Sequence, residues 1–286
     1  MSAIRSKNKK VVYAILYYGF ALVLLTIFLF PVIFMISKSF MTYADALDIP
    51  VRFFPTEIYW GNYSQMFDAE MIRWFFNTMT IIFFNAILGP LSASFCAYGF
   101  SRLYGKGKSI VFSVMMGTIM LPGNVIAIPM YVFFNELGWM DTYLPMIVPS
   151  ILGGGALTIF LFIQFMNSYS KELDNAAKID GANNFVIFWK IALPMCKIVF
   201  LAQAISVFIG TWNDYMTPLI YINDQKKYTL GLGIYYRYLK GTIGGIDFSA
   251  SAKMAAGVVM TIPPAILFFI FQKQLIEGIQ MGAIKG

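Results

Sequence analysis

The sequence predicts an all-α, polytopic membrane protein of six transmembrane helices, with one short cytoplasmic helix between the fourth and fifth. Three observations lead there. The 286 residues are 59% hydrophobic and only 12% charged, against roughly a quarter charged in a soluble domain. Six stretches, 11–36, 74–100, 109–134, 144–166, 192–221 and 251–276, are apolar enough and long enough to meet the ~20 residues that cross a hydrocarbon layer. Between the fourth and fifth, 167–191 is polar and carries helical spacing.

The first stretch follows Arg5, Lys7, Lys9 and Lys10 and resembles a signal peptide. It is too long for a signal core and shows no small-residue cleavage site, so a retained anchor is expected. Residues 1–73 then form an N-terminal transmembrane helix with an extracytoplasmic loop, and 74–286 a five-helix core with the polar loop 167–191 and a cytoplasmic tail. With the N-terminus inside, thirteen of the 21 basic residues are cytoplasmic: Arg5, Lys7, Lys9, Lys10, Arg102, Lys106, Lys108, Lys171, Lys178, Lys190, Lys197, Lys273 and Lys285. That excess sets the orientation, and six spans return the C-terminus to the same side. Asp45, Asp48, Glu57, Asp68 and Glu70 fall outside, as does a basic cluster from Lys226 to Lys253. Pro90, Pro122, Pro129, Pro149, Pro218, Pro263 and Pro264 lie within spans; each removes a backbone donor and favours a kink, which membrane helices tolerate where neighbours or a cavity satisfy the freed carbonyls.

The chain has no histidine, so His-based zinc sites and His-dependent nucleophilic triads are excluded. Cys96 and Cys196 sit in or beside apolar stretches and read as packing residues. Gly107-Lys108-Ser109 ends like a phosphate-binding loop, but that motif needs glycine where Arg102 stands and should follow a strand. No nucleotide site, metal or cofactor is expected in this chain.

The polar loop is the most informative segment. Ser170 can cap a helix whose first turns carry Glu172 and Asp174. Leu173, Ala176 and Ala177 make a narrow small-residue face, and Gly181 supplies the left-handed residue that ends the helix. Pro194 then opens the next span. The residues alone allow an interfacial helix without a partner or one whose flat face docks a partner.

The run Glu172-Leu173-Asp174-Asn175-Ala176-Ala177-Lys178-Ile179-Asp180-Gly181-Ala182 with the downstream Leu193-Pro194 resembles the coupling loop of ATP-binding-cassette importer permeases. The likeness points to the carbohydrate, maltose-type branch and extends along the chain through Phe54-Pro55-Thr56, Trp60-Gly61-Asn62-Tyr63, Asn77-Thr78, Ala97-Tyr98-Gly99-Phe100-Ser101-Arg102, Leu121-Pro122, Ile128-Pro129, Trp212-Asn213-Asp214, Glu277-Gly278 and Gly282-Ala283-Ile284-Lys285-Gly286. Asn175 departs from it, standing where the family carries an acid, and Ser170 stands where proline is common. The resemblance implies that Glu172, Leu173, Asn175, Ala176, Ala177, Asp180 and Gly181 couple to an ATPase subunit. It also implies a second homologous permease, two ATPase subunits that hold ATP and Mg, and an external sugar-binding protein.

Polar groups inside a membrane are costly, on the order of 2.5–3.5 kcal/mol for a centred carboxylate. They face a cavity or a neighbouring helix. Asp214, flanked by Trp212 and Asn213, is the clearest case; Asn77, Asn85, Asn124, Gln164 and Gln203 are milder. Asn77, Asn124, Trp212, Asn213 and Asp214 are the candidate substrate pathway, with Asp214 either touching a sugar or bracing the site. The outer loop 223–250 mixes Gly231, Gly233, Gly241, Gly244 and Gly245 with Tyr235, Tyr236 and Tyr238, giving reach and amphipathic contact or a plain connector. By resemblance it contacts the binding protein, with Tyr235, Gly241 and Gly244 the residues singled out.

The function expected is that of a permease subunit importing a sugar or oligosaccharide by alternating access, while a partner hydrolyses ATP; it is not an enzyme. The alternatives are an ion-coupled secondary transporter, which calls for more than one intramembrane carboxylate and often for repeats, and an importer of a non-sugar solute.

Overall fold

The computed structural model of the chain describes residues 2–240 and 249–283, with side chains over 13–123, 125–240 and 249–274. Among them there is no strand. The α-helices in order are α1 Ser2–Ser39, α2 Tyr43–Leu47, α3 Gly61–Ser64, α4 Ala69–Arg102, α5 Lys108–Thr118, α6 Gly123–Glu136, α7 Leu144–Ile151, α8 Ala156–Ser168, α9 Glu172–Ile179, α10 Asn184–Ile187, α11 Leu193–Met195, α12 Lys197–Asn213, α13 Met216–Tyr221, α14 Leu230–Ile234 and α15 Ala250–Ala283. Single π-helical turns occupy Phe188–Ala192 and Tyr235–Leu239.

Two compact units emerge, one of Met1–Phe67 with Arg237–Thr261, the other of Asp68–Tyr236 with Ile262–Gly286. In the first, α1 exposes Tyr13 to Ile33 on every side, the pattern of a helix whose surroundings are as apolar as itself. Beyond its end the loop is tied by Asn62, which is buried and donates to the Ser39 and Met41 carbonyls at 2.9 Å each. Asp45 accepts the Thr56 hydroxyl at 2.7 Å, and Phe40 meets Trp60 edge to face.

The second unit is organised by α4. Asp68 caps it by accepting the Met71 amide at 2.8 Å, with Glu70 in the first turn where the helix dipole favours an acid. At 1.5 Å per residue its 34 residues run for about 50 Å, uninterrupted by Pro90, and α7, α8, α12 and α14 all pack on it. The inner part of its buried face is small: Gly89, Ala93 and Ala97. These let Ile159, Phe162, Ile163 and Met166 of α8 and Ile187, Phe188, Ala192, Cys196 and Val199 close into one core. Between membrane helices such contact comes from shape, since lipid is no less apolar than the partner helix.

The breaks follow the residues. Residues 152–155 divide the fourth expected span, and Gly154 there has φ +66°; a Cβ on it would meet the Gly89 carbonyl oxygen and lie 2.9 Å from Ala93 Cβ. Glycine is needed for both the backbone angle and the approach. The third expected span is two helices, α5 and α6, separated by a turn that ends in Pro122. The fifth is bent by 73° between Asn184–Met195 and Lys197–Asn213. Four helical stretches are long and apolar enough to cross a membrane, five with that bent pair. The interrupted 108–136 segment is the one the sixfold expectation counted as continuous.

Gly154→Ala should therefore lose at least ~2 kcal/mol of stability, the scale of overpacking against rigid backbone. Gly210→Ala, with open space where the Cβ would go, should not destabilise. Thermal unfolding of both variants in nanodiscs checks the pair.

Candidate functional site

The polar loop folds as its residues dictate. Ser170 Oγ accepts the Glu172 amide at 3.1 Å, and Glu172 and Asp174 occupy the first turn of α9. At the far end Gly181 takes φ +86°. Its amide donates to Lys178 O at 3.0 Å, and Ala182 N donates to Ala177 O at 2.9 Å, the double closure that a left-handed glycine permits.

The face expected from Leu173, Ala176 and Ala177 is divided in the structure. Ala177 packs against the core and Asp174 is buried, at 4% exposure. Glu172, Asn175, Ala176 and Ile179, at i, i+3, i+4 and i+7, look outward along one helical stripe, with Leu173 beside them. Ile179 is 87% exposed and was absent from the expected coupling residues, although the helical period alone places it on the stripe. Asp180 and Gly181 are also exposed.

What holds the inner side is a pair the sequence reading did not make. Arg102, the last residue of α4, and Asp174 lie 3.1 Å apart from Nε to Oδ2, with side chains only 3% and 5% exposed. The two atoms form an ion pair without the alignment of a hydrogen bond, and Asp174 Oδ1 and Arg102 Nη1 are buried without a hydrogen-bond partner. Arg102 Nη2 donates to the carbonyls of Met166 and Tyr169, and the guanidinium lies 4.2 Å from the centre of the Tyr169 ring. A buried pair of this kind adds little net stability, whereas removing one member costs about 3–5 kcal/mol.

At the other end of α4 the expected pathway residues hold irregular backbone. Asn77 Nδ2 donates to Lys226 O at 3.0 Å and Tyr228 O at 2.9 Å. Trp74 Nε1 donates to Gln225 O at 3.1 Å, and Thr78 Oγ1 accepts the Leu230 amide at 2.8 Å. Asp214 stops α12 and caps α13, accepting the Thr217 amide at 3.0 Å. Trp212 is buried at 1% exposure and stacks on Phe208, while Asn213 is exposed and donates to Ile209 O. The pair thus forms no shared sugar-binding face. Asn85 donates to Met146 O, and Thr158 to Gln203 Oε1, each linking two helices; Gln164 is exposed. The side chain of Asn124 lies outside the described residues, as do Gly241, Gly244 and Gly245.

The outer loop is more ordered than its glycines suggest. Residues 230–234 are buried. A Cβ on Gly233 would fall inside the Trp74 ring, and one on Gly231 would lie 3.3 Å from Asp214 O. These glycines serve close approach rather than reach. Tyr235 stacks on Tyr215 with centroids 5.0 Å apart.

A second clasp joins the turn before α7 to this loop. Asp141, at φ +56°, accepts the amides of Asn223 at 2.5 Å and Asp224 at 2.9 Å, and Lys227 Nζ donates to its carbonyl at 2.8 Å. The backbone donors of Asp224 and Asn223 hold its carboxyl below the usual carboxylate value. A depressed folded pKa contributes stability above the unfolded value of about 3.9, which is lost as pH falls through the folded one. Amide exchange at Asn223 and Asp224, corrected for intrinsic rate, should be slow at pH 7 and accelerate several-fold below about pH 4. Asp141→Asn should exchange faster at neutral pH and lose that pH dependence.

Among the described residues no group of three or more Cys, Asp or Glu is placed to hold a metal. Comparison with known proteins adds the lineage. Residues 89–280 match a family described as the binding-protein-dependent transport system inner membrane component. The arabinooligosaccharides transport system permease protein AraQ of Bacillus subtilis is 27% identical, over 96% of this chain and 97% of its own length. The trehalose/maltose transport system permease protein MalG of Thermococcus litoralis is 29% identical, over 93% and 95%. The melibiose/raffinose/stachyose import permease protein MelC of B. subtilis is 31% identical, over 82% and 83%. Among solved structures, a chain of a bacterial ABC transporter involved in importing the acidic polysaccharide alginate superposes with a TM-score of 0.79 at 21% identity, covering 92% of this chain and 96% of that one. By the family match and the length of these alignments, this chain belongs to the inner membrane components of binding-protein-dependent transport systems.

Proposed function

We propose that the chain is one of two permease subunits of an importer for a sugar or oligosaccharide, driven by ATP hydrolysed with Mg on two partner ATPase subunits and supplied by an external binding protein. The observation that carries the reading is the outward stripe of α9. A helix of eight residues is too short to persist alone, yet here it is capped at both ends and turned so that Ile179, Ala176, Asn175 and Glu172 look away from the bundle. Glu172, Leu173, Asn175, Ala176, Asp180 and Gly181 meet the ATPase in this reading; Ala177 supports the helix from behind. The substrate class rests on the relatives, whose names specify arabino-oligosaccharides, trehalose and maltose, and the melibiose series.

Both termini are cytoplasmic in this proposal, and the 223–250 loop faces the binding protein through Tyr235, Gly241 and Gly244. Asn77, Trp212 and Asp214 brace the pathway wall; Asn213 and Asn124 are its remaining candidates for solute contact. Nothing reacts with the sugar. The solute moves as the two permeases tilt about a midplane site.

The test is reconstitution of the chain with its ATPase, second permease and binding protein in proteoliposomes, against a panel of labelled oligosaccharides. Uptake should require ATP inside the ATPase-facing compartment, and Ile179→Asp should cut it at least tenfold with the subunit still inserted and less ATPase co-purifying. Uptake that an ion gradient drives without the ATPase would overturn the reading.

A further inference from the structure

We infer that Arg102 and Asp174 form a positioning lock that makes α9 and the inner end of α4 move as one piece, so that force applied to α9 reaches the bundle through α4. This rests on the reading of α9 as the ATPase-docking helix and deepens it. The two residues are 72 positions apart and are joined by no regular backbone ladder. Apart from core packing behind Ala177, the inner side of α9 is held by this contact.

The chemistry favours position over stability. A pair present for stability would have its hydrogen-bonding capacity filled. Here Arg102 Nε and Nη1, both Asp174 oxygens and the Tyr169 hydroxyl are buried without hydrogen-bond partners. The guanidinium is instead fixed in orientation on three sides. Its Nη2 reaches the Met166 and Tyr169 carbonyls, its plane lies over the Tyr169 ring, and its Nε faces Asp174. Those contacts are the end of α8, the turn leading into α9 and α9 itself. A planar, permanently charged fork can gather all three, and a lysine ammonium cannot.

The experiment uses the whole importer in nanodiscs, in a Cys96→Ala, Cys196→Ala background. Three quantities are read: crosslinking of an Ile179→Cys variant to the ATPase, solute moved per ATP hydrolysed, and the distance between spin labels at positions 104 and 178 with and without trapped nucleotide. In the native pair the label distance should be narrow and the same in both states. The double variant Arg102→Met with Asp174→Leu fills the site with apolar bulk. It should keep the crosslink, broaden the distance distribution and lower solute per ATP at least fivefold. Arg102→Lys, which keeps the charge without the fork, should fall between and carries the test if the double variant does not assemble. A double variant with intact crosslink and native solute per ATP would show the pair to be packing alone and sink the lock, as would a native-like Arg102→Lys where the double variant fails to assemble. Loss of the crosslink in the otherwise native complex would remove the docking reading itself, and the lock with it.

Discussion

The close approach of small residues on α4 to its neighbours is the constraint on which the rest of the second unit depends. In a membrane, apolar surface is no better buried in protein than in lipid, so helices associate through shape and through polar groups that find partners. Gly89 and Ala93 admit the break at 152–155 against α4, and Ala97 lies beside Phe162 and Phe188 in the core that follows. With α4 held straight through this seam, its two ends become fixed points. Everything irregular in the unit is then attached at one end or the other.

The outer end shows what intramembrane polar residues are for in this chain. Broken helices and π turns leave carbonyls and amides without helical partners, and these must be satisfied by protein where water is scarce. Trp74, Asn77 and Thr78, spaced along one face of α4, meet the carbonyls of Gln225, Lys226 and Tyr228 and the amide of Leu230. Asp214 does the same for the turn into α13. An intramembrane Asn or Asp is expensive unless it has work of this sort, and bracing a discontinuous wall is enough to account for Asn77 and for one oxygen of Asp214.

The helical class, the membrane setting and the start and stop of α9 were legible in the sequence because each is written locally: apolar length, a capping serine, a left-handed glycine. The breaks were less so. Pro122 signalled one, but Pro90 sits inside an unbroken helix, because whether a freed carbonyl is tolerated depends on neighbours that no local pattern names. The facing of α9 was partly legible: its period puts Ile179 on the stripe with Glu172 and Asn175, and sets Asp174 apart from them. That Asp174 is buried needed Arg102, 72 residues away. Gly231 and Gly233 misled for a related reason. Glycine has the same signature in a flexible loop and beneath an indole ring, and only Trp74, far off in sequence, decides between them.

The two ends of α4 are tied by different chemistry, and the difference follows from what each tie must do. At the outer end the bonds are neutral, many and spread over several backbone groups, so no single one fixes an angle and the segment 225–230 can yield by small shifts. At the inner end one guanidinium binds three elements at once, and a planar group held by two carbonyls, a ring face and a carboxylate cannot rotate without losing several contacts together. A hinge suits the first arrangement and a lever joint the second. If α9 receives the push of a closing ATPase, the stiff joint lies where the push enters and the compliant attachment where the bundle must open, which is the order that converts movement at one face of the membrane into a change of access at the other.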